Sequence, residues 1–144
     1  MSETKTITWR LHLASSPQRA YDMLATDAGR AQFWAEEAVE KDGQITWRFP
    51  NGWEMSTRVL ASEPPHHFSV KYIGGSTTTF ELQPDGKGGT DLTLTDAGVQ
   101  AEHHMETYAG WLSVLLALKA AVDFGVDMRN HDPERTWDQG YVEN

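Results

Sequence analysis

The sequence predicts an α+β fold in which a curved antiparallel sheet of six or seven strands wraps one long C-terminal helix, with two short helices after the first strand. Three observations predict it. Apolar and polar residues alternate over Thr4–Leu13, as on a half-buried strand. Short alternating runs separated by turn residues fill residues 42–95 with no helical period between them, which describes an antiparallel meander. Over residues 101–123 the apolar period changes to three and four, the mark of a long amphipathic helix.

In the first strand Ile7, Trp9, Leu11 and Leu13 share one side, and Thr8, Arg10 and His12 the other. Ser16 is placed to cap a helix whose first position is Pro17, where a missing N–H costs nothing. Ala20, Tyr21, Met23 and Leu24 form its apolar side. Asp27 is expected to cap a second short helix ending near Phe33-Trp34. Asp42-Gly43 and Pro50-Asn51-Gly52 read as turns on either side of a strand at residues 45–49. The next strand, residues 53–62, puts Trp53, Met55, Thr57 and Val59 on one face; Pro64-Pro65 ends it, because neither proline can donate to a ladder. Phe68, Val70 and Tyr72 share a face of the following strand, and Thr78, Phe80 and Leu82 a face of the one after Gly74-Gly75. Residues 85–89 form a glycine-rich hairpin loop, and Leu92 and Leu94 line the last strand.

In the long helix His104, Tyr108, Trp111, Leu112, Leu115, Leu118 and Val122 form one apolar stripe. The helix is about 33 Å long at 1.5 Å per residue. Gly110 in its middle costs about 1 kcal/mol relative to Ala, so a close approach by another element is expected there. Gly125 is the expected terminator. Residues 130–144 are polar but hold Trp137, Tyr141 and Val142, so this tail is expected to dock on the body of one domain spanning residues 1–144.

Hydrophobic residues make up 39% of the chain and charged residues 23%, which excludes wholesale disorder. Six Trp are many for 144 residues and suit a spacious core or a lined pocket. A formal charge of -9 repels nucleic acid and anionic membrane faces, so neither is an expected partner. With no cysteine there is no disulfide, thiolate metal site or thiol nucleophile. Residues 1–10 hold no apolar signal region and no run approaches the eighteen apolar residues of a membrane span, so the expected compartment is the cytoplasm.

Large side chains facing the long helix are candidates to line a cavity for an apolar or lipid-like small molecule: Trp47, Phe49, Met55, Val70, Phe80, Trp111 and Leu115, with Trp34 near a mouth. Tyr72, Thr78, Tyr108 and His104 would supply polar groups, and Met55 a flexible wall. Core filling is the plainer reading of each residue alone. No metal or cofactor is expected. His66-His67 are adjacent on a strand and face opposite ways, and no H-E-x-x-H pair occurs. No serine sits in a G-x-S-x-G elbow. Gly86-Lys87-Gly88-Gly89 leads into a strand rather than a helix and reads as a hairpin tip, not a phosphate loop. Glu36-Glu37 read as a solvated edge.

Five segments in order carry a resemblance. Ser16-Pro17-Gln18-Arg19-Ala20-Tyr21-Asp22-Met23-Leu24 follows an S-P-x-x-V-[YF]-x-x-L helix entry, and Phe33-Trp34 an aromatic pair ending the second helix. Val59-Leu60-Ala61-Ser62-Glu63-Pro64-Pro65, with Phe68, Val70 and Tyr72, follows a strand, a Pro-Pro corner and a strand of large residues. Gly88-Gly89-Thr90-Asp91-Leu92-Thr93-Leu94-Thr95 follows a hairpin and final strand, and Gly110-Trp111, Leu115, Leu118 and Lys119 the long helix. In this order, over residues 4–128, the chain resembles the activator-of-heat-shock-protein-90-ATPase-like family of the START-like helix-grip (SRPBCC, birch-pollen-allergen-like) superfamily. The resemblance implies a helix-grip fold and, for function, a binding domain for an apolar or amphipathic small molecule held between sheet and helix. It also leaves room for a cyclase-like or hydrolase-like enzyme using His104, Tyr72 or Tyr108, and for a stress or co-chaperone accessory acting through its surface. An edge strand could pair two copies into a homodimer.

Overall fold

A computed structural model of the chain describes residues 3–142. Its elements run β1 (Thr4–Leu13), α1 (Pro17–Ala25), α2 (Asp27–Phe33), β2 (Glu37–Lys41), β3 (Gln44–Arg48), β4 (Glu54–Glu63), β5 (His67–Lys71), β6 (Thr77–Pro84), β7 (Thr90–Gln100) and α3 (His104–Phe124). The strands form one antiparallel seven-stranded sheet in the order β1-β7-β6-β5-β4-β3-β2. The meander returns the last strand beside the first, and register breaks between Lys5 and Ile7 and between Val59 and Ala61 bend the two long strands. The inward faces of the sheet carry Ile7, Leu13, Ile45, Trp47, Phe68, Val70, Phe80, Leu82, Leu92 and Leu94, all buried. α3 lies across them through Trp111, Leu115, Leu118 and Val122. This is the α+β architecture of a sheet around one long helix that the alternation and the period change predict, and the helix-grip fold that the resemblance implies.

Three local expectations are corrected, and one strand is added. The cap of α2 is Thr26, whose Oγ1 accepts the Gly29 N–H at 3.0 Å. Asp27 instead accepts from the Arg30 guanidinium at 2.5 Å and the Glu40 N–H at 2.9 Å. Glu37, read as part of a solvated edge, is exposed and begins an edge strand, β2, that the sequence reading did not separate; only Ala38 of β2 is buried. The stripe of α3 is narrower than read: Leu112 is 43% exposed and Tyr108, stacked on Trp9 of β1, 39%. Gly110 faces open space, where an added Cβ would meet nothing within 4 Å, so no element approaches it. The close approach lies elsewhere, at Gly29, where a Cβ would collide with the Asp22 carbonyl oxygen and stand 2.5 Å from Met23 Cα.

Buried charges tie the helices to the sheet. Arg30 is fully buried and donates to the carbonyls of Leu24 (3.0 Å) and Ala38 (3.1 Å), joining α1 and β2 through α2. Asp123, at the end of α3, accepts from the N–H groups of Ala14 (2.9 Å) and Ser15 (3.0 Å) and from Ser15 Oγ (2.7 Å), which anchors the helix to the β1–α1 junction. Together with the turn before it, α3 spans Ala101–Phe124 at a mean hydropathy of 1.2, enough by length and composition to cross a membrane; its buried side forms the core of this domain.

Beyond Gly125, whose φ of 65° ends the helix, the chain doubles back across the domain. Arg129 is buried and donates to the carbonyls of Ala31 (2.8 Å) and Ala35 (3.0 Å) while pairing with Asp127 at 3.0 Å. His131 stands between Glu36 and Asp127, 2.6 Å from each. Burial opposes the charge of His131, but the two carboxylates outweigh it and raise its pKa. Trp137 meets the Phe49 ring edge-on at 6.2 Å, and Ser113 Oγ donates to the Val142 carbonyl at 2.6 Å.

Two predictions follow the geometry. Gly29→Ala should destabilise the protein by about 1–3 kcal/mol through overpacking, whereas Gly110→Ala should stabilise it by about 1 kcal/mol; urea midpoints measure both. Because the His131 pKa is raised on folding, its stabilisation is complete below the unfolded value of about 6.5 and is lost as pH rises through the folded value. The difference in Tm between wild type and His131→Gln should therefore be larger at pH 6 than at pH 8.5.

Candidate functional site

The interior between sheet and α3 is built from rings. Trp34 leaves the end of α2 and touches Trp47 of β3 (ring centroids 4.6 Å apart), Phe80 of β6 (5.3 Å), Tyr72 just past β5 (5.7 Å) and Trp111 of α3 (6.0 Å). Tyr72 also meets Trp47 at 5.4 Å and Trp111 at 5.1 Å. Phe49 extends the layer by stacking on Trp47 at 6.2 Å. Strand alternation explains most of this: every second residue points inward. The offset and edge-on geometries are those the ring quadrupoles favour.

Each indole N–H in the layer has a partner. Trp34 Nε1 donates to Tyr72 Oη at 3.0 Å, Trp47 Nε1 to Thr57 Oγ1 at 2.9 Å, and Trp111 Nε1 to Asp96 Oδ2 at 2.8 Å. Thr78, directly across the ladder from Asp96, donates its hydroxyl to Asp96 Oδ1 at 2.9 Å. Asp96 is buried, and both donors on it are neutral. The Tyr72 hydroxyl is buried as well; desolvation pushes its pKa up, and among the described residues its own proton has no acceptor.

Of the residues expected to line a cavity, Trp34, Trp47, Phe49, Val70, Tyr72, Thr78, Phe80, Trp111 and Leu115 are buried on this interior. Met55, across from Trp47, is partly buried against the core. His104 and Tyr108 stand apart from the layer. Their rings lie 5.8 Å from each other, and Tyr108 stacks on Trp9 of β1 at 4.4 Å, on the flank of the helix. The geometry thus gathers Tyr72, Thr78 and Asp96 as interior polar groups and leaves His104 outside them. Asp96 escaped the sequence reading, although Leu92, Leu94 and Asp96 fall on one strand face at a spacing of two and signal an inward carboxylate.

The rings touch one another across the space between sheet and helix. Two depressions, of about 380 and 430 Å³, lie on the outer surface. One is lined by His12, Ala14, Asp85, Lys87 and Gly89, where His12 and Asp85 pair at 2.7 Å. The other is lined by His66, His67, Glu81, Leu82, Gln83 and Pro84. Neither contains a residue of the ring layer.

A seven-stranded sheet gripping a C-terminal helix through such a layer defines the helix-grip class of the START-like superfamily, a fold that commonly binds hydrophobic ligands. The model of the family described as "Activator of Hsp90 ATPase homolog 1-like protein" matches residues 14–123, and the chain belongs to that family. Among solved structures, it is similar to the Aha1 dimer of Colwellia psychrerythraea, at 22% identity and a TM-score of 0.75, covering 84% of this chain and 98% of that one. A protein of Staphylococcus saprophyticus is similar at 18% identity and a TM-score of 0.75, covering 87% of this chain and 96% of that one. An AHSA1-like protein of Aeromonas hydrophila is similar at 14% identity and a TM-score of 0.73, covering 84% and 94%. These identities speak to the fold. No curated protein matches the sequence.

Asp96→Ala leaves the Trp111 N–H and the Thr78 hydroxyl without their acceptor. It should cost about 2–5 kcal/mol, since each buried unsatisfied donor costs about 1–3 kcal/mol. Urea unfolding, followed by tryptophan fluorescence, measures it.

Proposed function

We propose that the chain is a binding domain for an apolar or amphipathic small molecule, seated in the ring layer between sheet and α3 with its polar end on Tyr72 and Asp96. The observation that carries this reading is the buried Asp96 carboxylate, whose two donors are both neutral, beside a buried Tyr72 hydroxyl whose proton has no acceptor among the described residues. A carboxylate held among rings costs free energy unless hydrogen bonds satisfy it, and it retains lone pairs for a further donor. A guest with one hydroxyl could accept from Tyr72 and donate to Asp96 while its apolar body lies among Trp34, Trp47 and Trp111. Because the rings touch, the guest takes its place by parting them. A chain of 144 residues without cysteine suits the reducing cytoplasm.

The test is displacement of the fluorescent probe N-phenyl-1-naphthylamine by 1-decanol. Tyr72→Phe and Asp96→Asn each remove one polar contact and keep the shape. Each should weaken the alcohol about 5- to 20-fold, the worth of one hydrogen bond, and leave the probe's own affinity in place. Undiminished alcohol binding in both folded variants would sink the reading.

A second reading has its own observation. The outer face of α3 exposes Met105 (83%), Leu112 (43%), Leu116 (45%) and Phe124 (71%), and residues 107–118 hold no charge. An apolar face of this kind suits contact with another protein, either as a stress or co-chaperone accessory or between two copies; the similar Aha1 of Colwellia psychrerythraea is a dimer. In a chain of charge -9, this uncharged face is where a second copy meets least repulsion. Sedimentation should show a dimer that Leu112→Glu/Leu116→Glu converts to monomer; a wild-type monomer at high concentration rules out the homodimer.

A further inference from the structure

We infer that residues 126–142 form a strap that closes the mouth of the sheet–helix interior, with Trp137 as its plug. The inference rests on the small-molecule reading for what the mouth admits, but the strap itself is defined by its anchors. Two of its three anchors lie beside a ring of the layer, and the third ties it to α3. Arg129 grips the carbonyls of Ala31 and Ala35, on either side of Trp34. Trp137 covers Phe49, which stacks on Trp47. The Val142 carbonyl receives the hydroxyl of Ser113 on α3. The strap therefore crosses from the α2–β2 corner over the end of β3 to the middle of α3.

Its construction suits release. It holds no strand and no α-helix, only the short turn Trp137–Gln139 closed by a Thr136–Gln139 capping box. Val126, Met128, Tyr141 and Val142 are about half exposed or more, so undocking them uncovers little new apolar surface. The family match ends at residue 123, just before the strap begins. His131 acts as a clasp between Glu36 of the body and Asp127 of the strap, and Arg129 shares Asp127; these are the charged groups around it. A charged imidazole donates to both carboxylates, whereas a neutral one donates to only one. The clasp is firm where His131 is protonated and weakens as pH rises through its raised pKa.

Hydrogen exchange of the full chain tests the strap without any guest. Trp137→Ala removes the plug, and Glu36→Gln loosens the clasp without touching an apolar contact. Both should speed exchange about tenfold at residues 126–142, at the α2–β2 corner around Trp34 and in β3, while β1, β6 and β7 keep the wild-type rate. Association of N-phenyl-1-naphthylamine should quicken in parallel, and in the wild type it should be faster at pH 8 than at pH 6. If the strap exchanges faster while Trp34 and β3 stay protected, or if β1, β6 and β7 accelerate equally, the strap is not a gate. Faster exchange at the mouth without probe uptake leaves the gate standing and removes the small-molecule reading.

Discussion

Trp34 is the joint on which the domain turns. One side chain at the end of α2 touches rings from β3, from the residue after β5, from β6 and from α3. Tyr72 and Phe80 also meet Trp111 directly, at 5.1 and 6.0 Å, and Trp34 ties these contacts to Trp47 and to α2. Its N–H needs an acceptor in a dry interior, and Tyr72 provides one at 3.0 Å. That bond fixes the Tyr72 ring, which in turn seats Trp47 and Trp111. This ring contact therefore depends on an indole placed by a seven-residue helix, and that helix depends on a threonine cap and on the close contact at Gly29.

The chain handles buried charge in two ways. Arg30, Arg129 and Asp123 are structural: each satisfies several backbone groups where elements meet, and each has an opposite charge within 3.2 Å. Asp96 differs. It sits inside the ring layer with Thr78 and Trp111 as its side-chain donors among the described residues. A carboxylate of the first kind holds the fold at a junction. One of the second kind gives an otherwise apolar interior an orientation, and that supports a guest with one polar end.

The strands were legible because burial on one face forces alternation, and the inward residues of that alternation, Trp47, Val70, Thr78 and Phe80, are the ones that line the interior. The Pro-Pro corner, the Asp-Gly and Gly-Gly turns and the Gly125 terminator were legible because each needs a backbone few other residues adopt. Other features were not. Thr26 and Asp27 are both good caps, and only the pull of Arg30 and the Glu40 amide on Asp27 decides between them. β2 hides as a polar run because both its faces, Ala38 apart, are wet.

The sequence by itself determined the class of fold, since the periods of two and then three to four leave a sheet and one long helix no other way to bury their apolar faces. It also determined that the interior would be aromatic and the surface acidic. Only the tertiary structure decided which rings meet, that Asp96 faces into the layer and that His104 and Tyr108 do not. The reason is that an apolar stripe read from a helix is wider than the strip a curved sheet can cover. Which edge of it stays exposed is set by the crossing of the helix over the strands, a relation between residues far apart in the chain. The return of the tail over Phe49 and Ser113 is of the same kind: it depends on contacts 29 and 94 to 98 residues distant in sequence, on which local pattern is silent.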